Sequence, residues 1–454
     1  MRSLTVVNEM PTIEVDAVVV GGGPAGATAA AVLARAGRRV VLVDKATFPR
    51  DKCCGDGLTA AALRELEDLG VRPEAVVGWQ AVDEARVCSP SGYTVCLPLP
   101  SGRGLFAAVA PRAALDAAVL DAARTAGATV HDGHAMVSAT PTVDAVEIEV
   151  EGLGRVRAPY AIGADGAWSP LRHLVGAQVP GYLGDWHAFR QYFADVGPEA
   201  DALWVWFEAD LLPGYAWSFP LPGGRANVGF GIQRDRGIAV RDMKHLWPDL
   251  LGRPEIRRVL GDKARAEGPH KAWPIPARVE RMPLTAAGGR VLFVGDAAAA
   301  TDPLTGEGIA QAMLTGRLAA AAVQEAGPLQ PVLAGRRYQA EVARALFADH
   351  RLATRLSRVI SHRKGARAAI RIAGTNDWTK RNFARWLFED YPRAALTTPT
   401  RWHRGMFSAS GAYGHYRWTP GPRATPASVG GEPIEPASES EPGGHETSPP
   451  ADGT

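Results

Sequence analysis

Gly21, Gly23 and Gly26 stand at the spacing that lets a backbone approach a pyrophosphate and lets a helix pack close behind it. Pro24 and Ala25 complete that loop. Before it lies the β-branched run 17–20, suited to a buried parallel strand, and after it the small, helix-favouring stretch 25–36, closed by Gly37. A second apolar run, 40–43, ends in Asp44, a carboxylate placed to accept from ribose hydroxyls, with Lys45 beside it. Strand, glycine loop, helix, strand and terminal acid in one short unit predict a dinucleotide site; the plain alternative is a tight glycine turn in an ordinary βαβ unit. Two distant segments carry the same kind of chemistry. One is Gly163-Ala-Asp165-Gly166, which also reads as a simple Asp-Gly turn; the other is Gly295-Asp296, followed by Asp302-Pro303-Leu-Thr-Gly306-Glu-Gly308 and a helix from Ile309.

Reactive side chains are few. The four cysteines, Cys53, Cys54, Cys88 and Cys96, fit no zinc spacing, so no metal site is expected, and their scarcity in 454 residues points to a reducing cytosol. Cys54 lies in a glycine-rich turn, where a thiol either donates a proton or packs against a neighbouring ring. Tyr215 and Trp217, two apart on an expected strand, face one side; with Phe219 they form an aromatic wall or an ordinary core face.

The elements that must position these residues follow from pattern. A helix is expected from about Thr59 to Gly70, a hairpin over 86–97 turning at Pro90-Ser-Gly92, a helix from Arg112 to about Gly127, a strand over 130–139 and a strand pair over 146–160. Four strands over 189–196, 203–208, 215–221 and 226–232 suggest a mostly antiparallel layer. A buried strand over 290–296 returns to the first layer. The fold class is α/β: a three-layer, Rossmann-like dinucleotide domain over 14–180 and 265–330, an interleaved antiparallel β-sheet domain over 181–264 and a helical region over 331–409. An N-terminal extension, 1–13, and a Pro/Gly/Ser/Glu-rich tail, 410–454, expected to be disordered, flank them.

The combination of fingerprint, Asp-Gly segment and Gly-Asp segment resembles the FAD-dependent aromatic hydroxylases and their reductase relatives, and is most similar to the geranylgeranyl reductase family. Phe48-Pro-Arg50, Lys52, Cys54-Gly-Asp-Gly-Leu58 and Pro213-Gly-Tyr-Ala-Trp-Ser-Phe-Pro220 carry the closer likeness, which covers roughly residues 14–325. The resemblance implies FAD as cofactor, Asp296 on the ribityl chain, Asp165 and Arg112 beside the flavin, an Ala135 backbone contact to adenine, and the Cys54–Gly55 backbone at the isoalloxazine. It places Gly295, Pro303, Gly306, Gly308 and Ile309 along the cofactor, where amides at a helix N-terminus would meet electron-rich flavin oxygens. It also implies reduction of carbon–carbon double bonds in an isoprenoid, with Cys54 or Tyr215 as acid and Trp217 shaping the slot. A flavin monooxygenase acting on an aromatic or polyketide substrate, and a flavin-carrying dock without catalysis, are the other readings. The electron donor is left open among reduced nicotinamide, ferredoxin and a deazaflavin.

The net charge of +2 implies no polyelectrolyte partner, and no motif supports nucleic-acid binding. Between Pro331 and Pro420, however, 17 Lys and Arg face 5 Asp and Glu. That face is either solvated or attracts anionic lipid. With no apolar run near the roughly 18 residues of a spanning helix, any membrane contact is expected to be peripheral to a cytoplasmic protein.

Overall fold

Val18, Val19 and Leu42 are fully buried, and their strands, Ala17–Val20 and Val40–Asp44, pair in parallel at the centre of a six-stranded sheet. The computed structural model describes residues 12–234, 236–402 and 404–414. Across the sheet the order is Thr285–Ala286, Val291–Phe293, Ala161–Gly163, Ala17–Val20, Val40–Asp44, Thr129–Asp132, parallel except for the first pair. Register aligns Val20 with Val43 and Gly163 with both Val20 and Phe293. The segments carrying Gly21, Asp44, Asp165 and Asp296 therefore leave the sheet along one carboxyl edge, where open α/β sheets bind ligands.

Helix Pro24–Arg35 packs behind this edge against helix Ile309–Ala326. Two glycines make the approach possible. A Cβ on Gly26 would lie 1.9 Å from the Gly21 carbonyl oxygen, and Gly21 itself holds φ +107°, a conformation closed to ordinary side chains.

A second sheet of seven strands runs Arg265–Ile275, Trp186–Ala194, Arg225–Gln233, Tyr215–Leu221, Leu203–Trp206, Glu84–Cys88, Thr94–Pro98. It is antiparallel except where Leu203–Trp206 meets Glu84–Cys88. One face packs on helices Met243–Gly252 and Pro254–Leu260, and the other meets Ile370, Ala384 and Phe388 of the C-terminal helices Arg363–Ala373 and Asp377–Leu387 and the residue that follows them. A four-stranded sheet (Thr12–Glu14, Gly154–Ala158, Val146–Val150, Met136–Pro141) and a three-stranded one (Gly57–Thr59, Ala107–Val109, Gln80–Ala81) complete the β structure of the described residues.

Five expectations are corrected. Residues 265–275, expected with the dinucleotide domain, form one edge strand of the seven-stranded sheet, and the hairpin 84–98, expected there too, forms the two outermost strands at the other side, because pairing to Trp186–Ala194 and Leu203–Trp206 is long-range. The single strand expected over 130–139 breaks at Gly133 (φ +82°), and its halves enter different sheets. Thr12 and Ile13, expected in an extension, pair with Arg155 and Val156. At 410–414, expected to be disordered, Ala412 bridges Leu105 and the Tyr413 hydroxyl donates to the Val71 carbonyl at 2.7 Å; residues 415–454 lie outside the described part.

Candidate active site

A cavity of about 920 Å³ begins at the carboxyl edge of the parallel sheet and continues beneath the seven-stranded sheet. At its first end, Asp44 accepts from the amides of Gly22 at 2.7 Å and Ala46 at 2.8 Å, which holds the carboxylate at the rim. Lys45 and Ala135 also line this end; the Ala135 carbonyl accepts from the Glu151 amide. Gly23 caps helix Pro24–Arg35 without a side-chain hydrogen bond, and the first turn has no acid. Its amides thus face the cavity free for a phosphate, and the residues present fit a dinucleotide.

Charge is arranged along the middle. Lys52 pairs with Asp296 at 2.7 Å. Burial pushes the Asp296 carboxyl up, but Lys52 and the Arg112 charge outweigh it and hold it below the usual range. Arg112 grips Asp116 through two bonds of 2.7 and 2.8 Å, and Arg50 reaches the same carboxylate at 3.1 Å. Arg112 is thereby presented to the cavity wall beside the Cys54 thiol, whose ionisation burial pushes up and Arg112 opposes.

At the far end, Tyr215, Trp217 and Phe219 line one wall, with neighbouring ring centroids 6.1 and 6.0 Å apart. Gly55 and Gly57 press on that wall: a Cβ on either would sit 3.1 Å from the Phe219 ring. Leu356, Ile360, Ile370, Phe383 and Trp386, from the C-terminal helices, line the cavity as well.

These features meet in a known pattern. The model of an FAD binding domain matches residues 14–322. The chain belongs to this FAD-binding family. Within it the sequence is 36% identical over 341 residues to a menaquinone reductase of Mycolicibacterium smegmatis, covering 69% of this chain and 77% of the relative. It is 34% identical over 330 residues to digeranylgeranylglycerophospholipid reductase 1 of Methanopyrus kandleri, covering 69% and 81%. Among solved structures, a geranylgeranyl bacteriochlorophyll reductase-like protein of Thermoplasma acidophilum superposes with a TM-score of 0.72 at 22% identity, over 86% of this chain and all of the other. The chain is an FAD-dependent oxidoreductase of the geranylgeranyl reductase family.

Within the flavoprotein, the residues expected at the site converge on this one cavity, with two exceptions. Gly26 packs the helix rather than lining the space, and Pro303 is buried away from it. Two further placements differ from expectation in detail. Asp165 lines the cavity, but its oxygens accept from the Ser169 hydroxyl and the Leu171 amide, both at 2.7 Å, so the carboxylate tethers its own turn. The helix N-terminus after Gly306 and Gly308, expected to face flavin oxygens, is in part taken up: the amides of Ile309 and Ala310 donate to Glu307 at 2.9 and 3.0 Å, because a Glu two residues before the helix folds back onto its first turn.

Sequence reading missed the network that fixes the Cys54 loop. Asp56, fully buried at φ +66°, accepts from the Tyr192 hydroxyl at 2.6 Å and from Asn227 at 2.7 Å. Asn227 also donates to the Cys54 carbonyl at 2.8 Å and accepts from the Trp217 indole at 3.1 Å. One polar residue in the apolar run 226–232 was the available signal. Cys53 and Cys54 are both free thiols.

Proposed function

We propose that this flavoprotein saturates carbon–carbon double bonds of an isoprenoid, the side chain of a quinone or the chains of a geranylgeranyl lipid. The observation that carries the reading is the continuity of the cavity: one space runs from the free amides of helix Pro24–Arg35 to an apolar chamber with Tyr215, Trp217 and Phe219 on one wall and Ile360, Ile370 and Phe383 from the C-terminal helices. Such a chamber suits a long, flexible hydrocarbon and offers little to a polar aromatic ring. Relatives named menaquinone reductase and digeranylgeranylglycerophospholipid reductase support the same substrate class.

In this reading Gly21, Gly23, Pro24, Ala25 and Asp44 hold the adenine half of FAD, with Lys45 and Ala135 at its rim, and Asp296, kept ionised by Lys52, accepts from the ribityl chain. Arg112, Cys54, Gly55, Gly295 and Gly306 surround the flavin ring. When bound, FAD supplies a hydride. The protein's share is to orient the alkene, exclude water and supply the matching proton. Tyr215 serves as wall rather than acid: its hydroxyl donates to the Thr305 carbonyl, and burial and the Glu307 charge push its ionisation up.

The outer faces of the same helices support delivery from a bilayer. Val359, Ile372 and Trp378 are more than half exposed, among the exposed cations Arg355, Arg358, Arg363, Lys364 and Arg371. No helix of the described residues is long and apolar enough to cross a membrane, so the contact proposed is peripheral.

Mass spectrometry of lipids from a host rich in unsaturated isoprenoids tests the activity. Expression should raise species carrying added pairs of hydrogens; an unchanged quinone and lipid profile, with FAD-loaded protein present, counts against it.

A further inference from the structure

Beside the aromatic wall, three carboxyl groups gather around a single guanidinium. Arg393 is 3% exposed and reaches Asp302 at 3.6 Å and Glu389 at 3.1 Å. Glu307 belongs to the same cluster and lines the cavity next to Gly306 and Tyr215. Among the described residues, His350, Tyr215 and Cys54 also face this cluster, and the Arg112 cation lies beside Cys54. Burial holds His350 neutral, below its ordinary range, and Tyr215 and Cys54 are neutral in their protonated forms.

The hydrogen bonds divide the carboxyls. Asp302 accepts from the amides of Leu304 and Thr305, both at 2.9 Å, and from the Thr305 hydroxyl at 3.0 Å, so with Arg393 opposite it stays ionised. Glu389 accepts from Gln311 at 2.9 Å, Arg393 at 3.1 Å and Thr59 at 3.2 Å. Glu307 differs. One of its oxygens takes both amides of the helix terminus, and the other has no hydrogen-bond partner among the described residues. Burial first, and then the like charge of Glu389, push its carboxyl up to about 8. It therefore carries a proton at neutral pH, and the oxygen free to hold it belongs to a side chain on the cavity surface.

We propose that Glu307 is the general acid of the reaction. The inference rests on the isoprenoid-reductase reading. The alkene π bond breaks as one carbon takes hydride from the reduced flavin and the other takes the Glu307 proton. Two C–H bonds form, the flavin is oxidised by two electrons, and Glu307 is left as a carboxylate that regains its proton from solvent. Glu307 is the better donor than Cys54, because burial raises that thiol above its ordinary range, and the Glu307 oxygen that would hold the proton has no other partner among the described residues. Glu389 acts as a positioning residue: burial pushes its own carboxyl up against the opposing Arg393 charge, and in its ionised form it keeps the proton on Glu307.

The test uses the FAD-loaded full chain and Glu307→Gln, which keeps an oxygen for the two helix amides. The infrared difference between wild type and E307Q should contain a protonated carboxyl band at neutral pH that disappears with a midpoint near 8. With dithionite-reduced enzyme and an unsaturated isoprenoid, wild-type turnover should fall above that pH, and E307Q should be ~10²–10⁴-fold slower with a flat profile. Glu389→Gln should move both midpoints to lower pH, which keeps the proposal refutable if E307Q does not fold. A missing carboxyl band, an E307Q rate equal to wild type, or an E389Q midpoint that stays or rises overturns it. Wild-type enzyme that saturates no isoprenoid defeats the activity reading and the acid role with it; wild-type turnover matched by E307Q defeats the acid role alone.

Discussion

Replacing Asp56 by asparagine should remove a pH dependence from the stability of the fold. Burial pushes the Asp56 carboxyl up from an ordinary 3.8 to about 6, against the opposing bonds from Tyr192 and Asn227. A carboxyl raised in the folded state favours the protonated form there. Its stabilisation is complete below about pH 4 and is lost as pH rises through about 6, by about 3 kcal/mol at about 1.4 kcal/mol per pH unit. Asparagine is neutral throughout, tolerates the positive φ of this position, and can offer its carbonyl oxygen to Tyr192 and Asn227. Its amide then occupies the place of the Asp56 oxygen that has no partner among the described residues, a fixed cost that does not titrate. The stability gap between variant and wild type should therefore move toward asparagine by about 3 kcal/mol between pH 4 and pH 8. For about 400 folded residues this amounts to ~3–4 °C in Tm. Parallel thermal scans of the two FAD-loaded proteins across that range measure it. A gap that stays constant, or moves in favour of aspartate, refutes the reasoning.

Lys52→Met should strip Asp296 of its cation, let that carboxyl titrate closer to neutral pH and weaken FAD retention by ~10–100-fold, the loss of one charged hydrogen bond, measured by equilibrium dialysis. Gly26→Ala puts a methyl carbon 1.9 Å from the Gly21 oxygen; the loop must shift, and the protein should purify without flavin absorbance and unfold at lower denaturant. Changing Arg363, Lys364 and Arg371 together to Gln should abolish co-sedimentation with anionic vesicles and leave dithionite-driven turnover of a detergent-solubilised isoprenoid within twofold; equal sedimentation of variant and wild type counts against the bilayer contact.

What could be read from the sequence was local. The Ala17–Asp44 unit announces itself because strand, loop, helix and acid are contiguous, and the observed strand and helix bounds follow the apolar run and the glycines closely. Tyr215–Leu221 is a strand at the expected residues because its aromatic side chains alternate toward one face. The arrangement around Cys54 was not legible in the same way. Asp56, Tyr192 and Asn227 are 136 and 171 positions apart, and nothing in the composition near each tells that they share hydrogen bonds. Sheet membership of residues 84–98 and 265–275 failed for the same reason, since a hairpin or edge strand carries no mark of its distant partner. Glu307 reads in the sequence as part of a glycine-rich turn; its raised carboxyl arises from burial and then from Glu389, contributed by a segment beyond the last long helix.

Reduction of isoprenoid double bonds can be measured directly in a single turnover. Anaerobic protein, its FAD reduced by dithionite and the excess reductant removed, should be mixed with a menaquinone or a geranylgeranyl lipid in deuterated water and the products analysed by mass spectrometry. One equivalent of flavin should reoxidise for each double bond saturated, and each saturated bond should carry deuterium on both carbons, one from the acid and one from the flavin N5 position, whose hydrogen exchanges with water. Flavin that stays reduced until oxygen is admitted, with a hydroxylated product and intact double bonds, would contradict it.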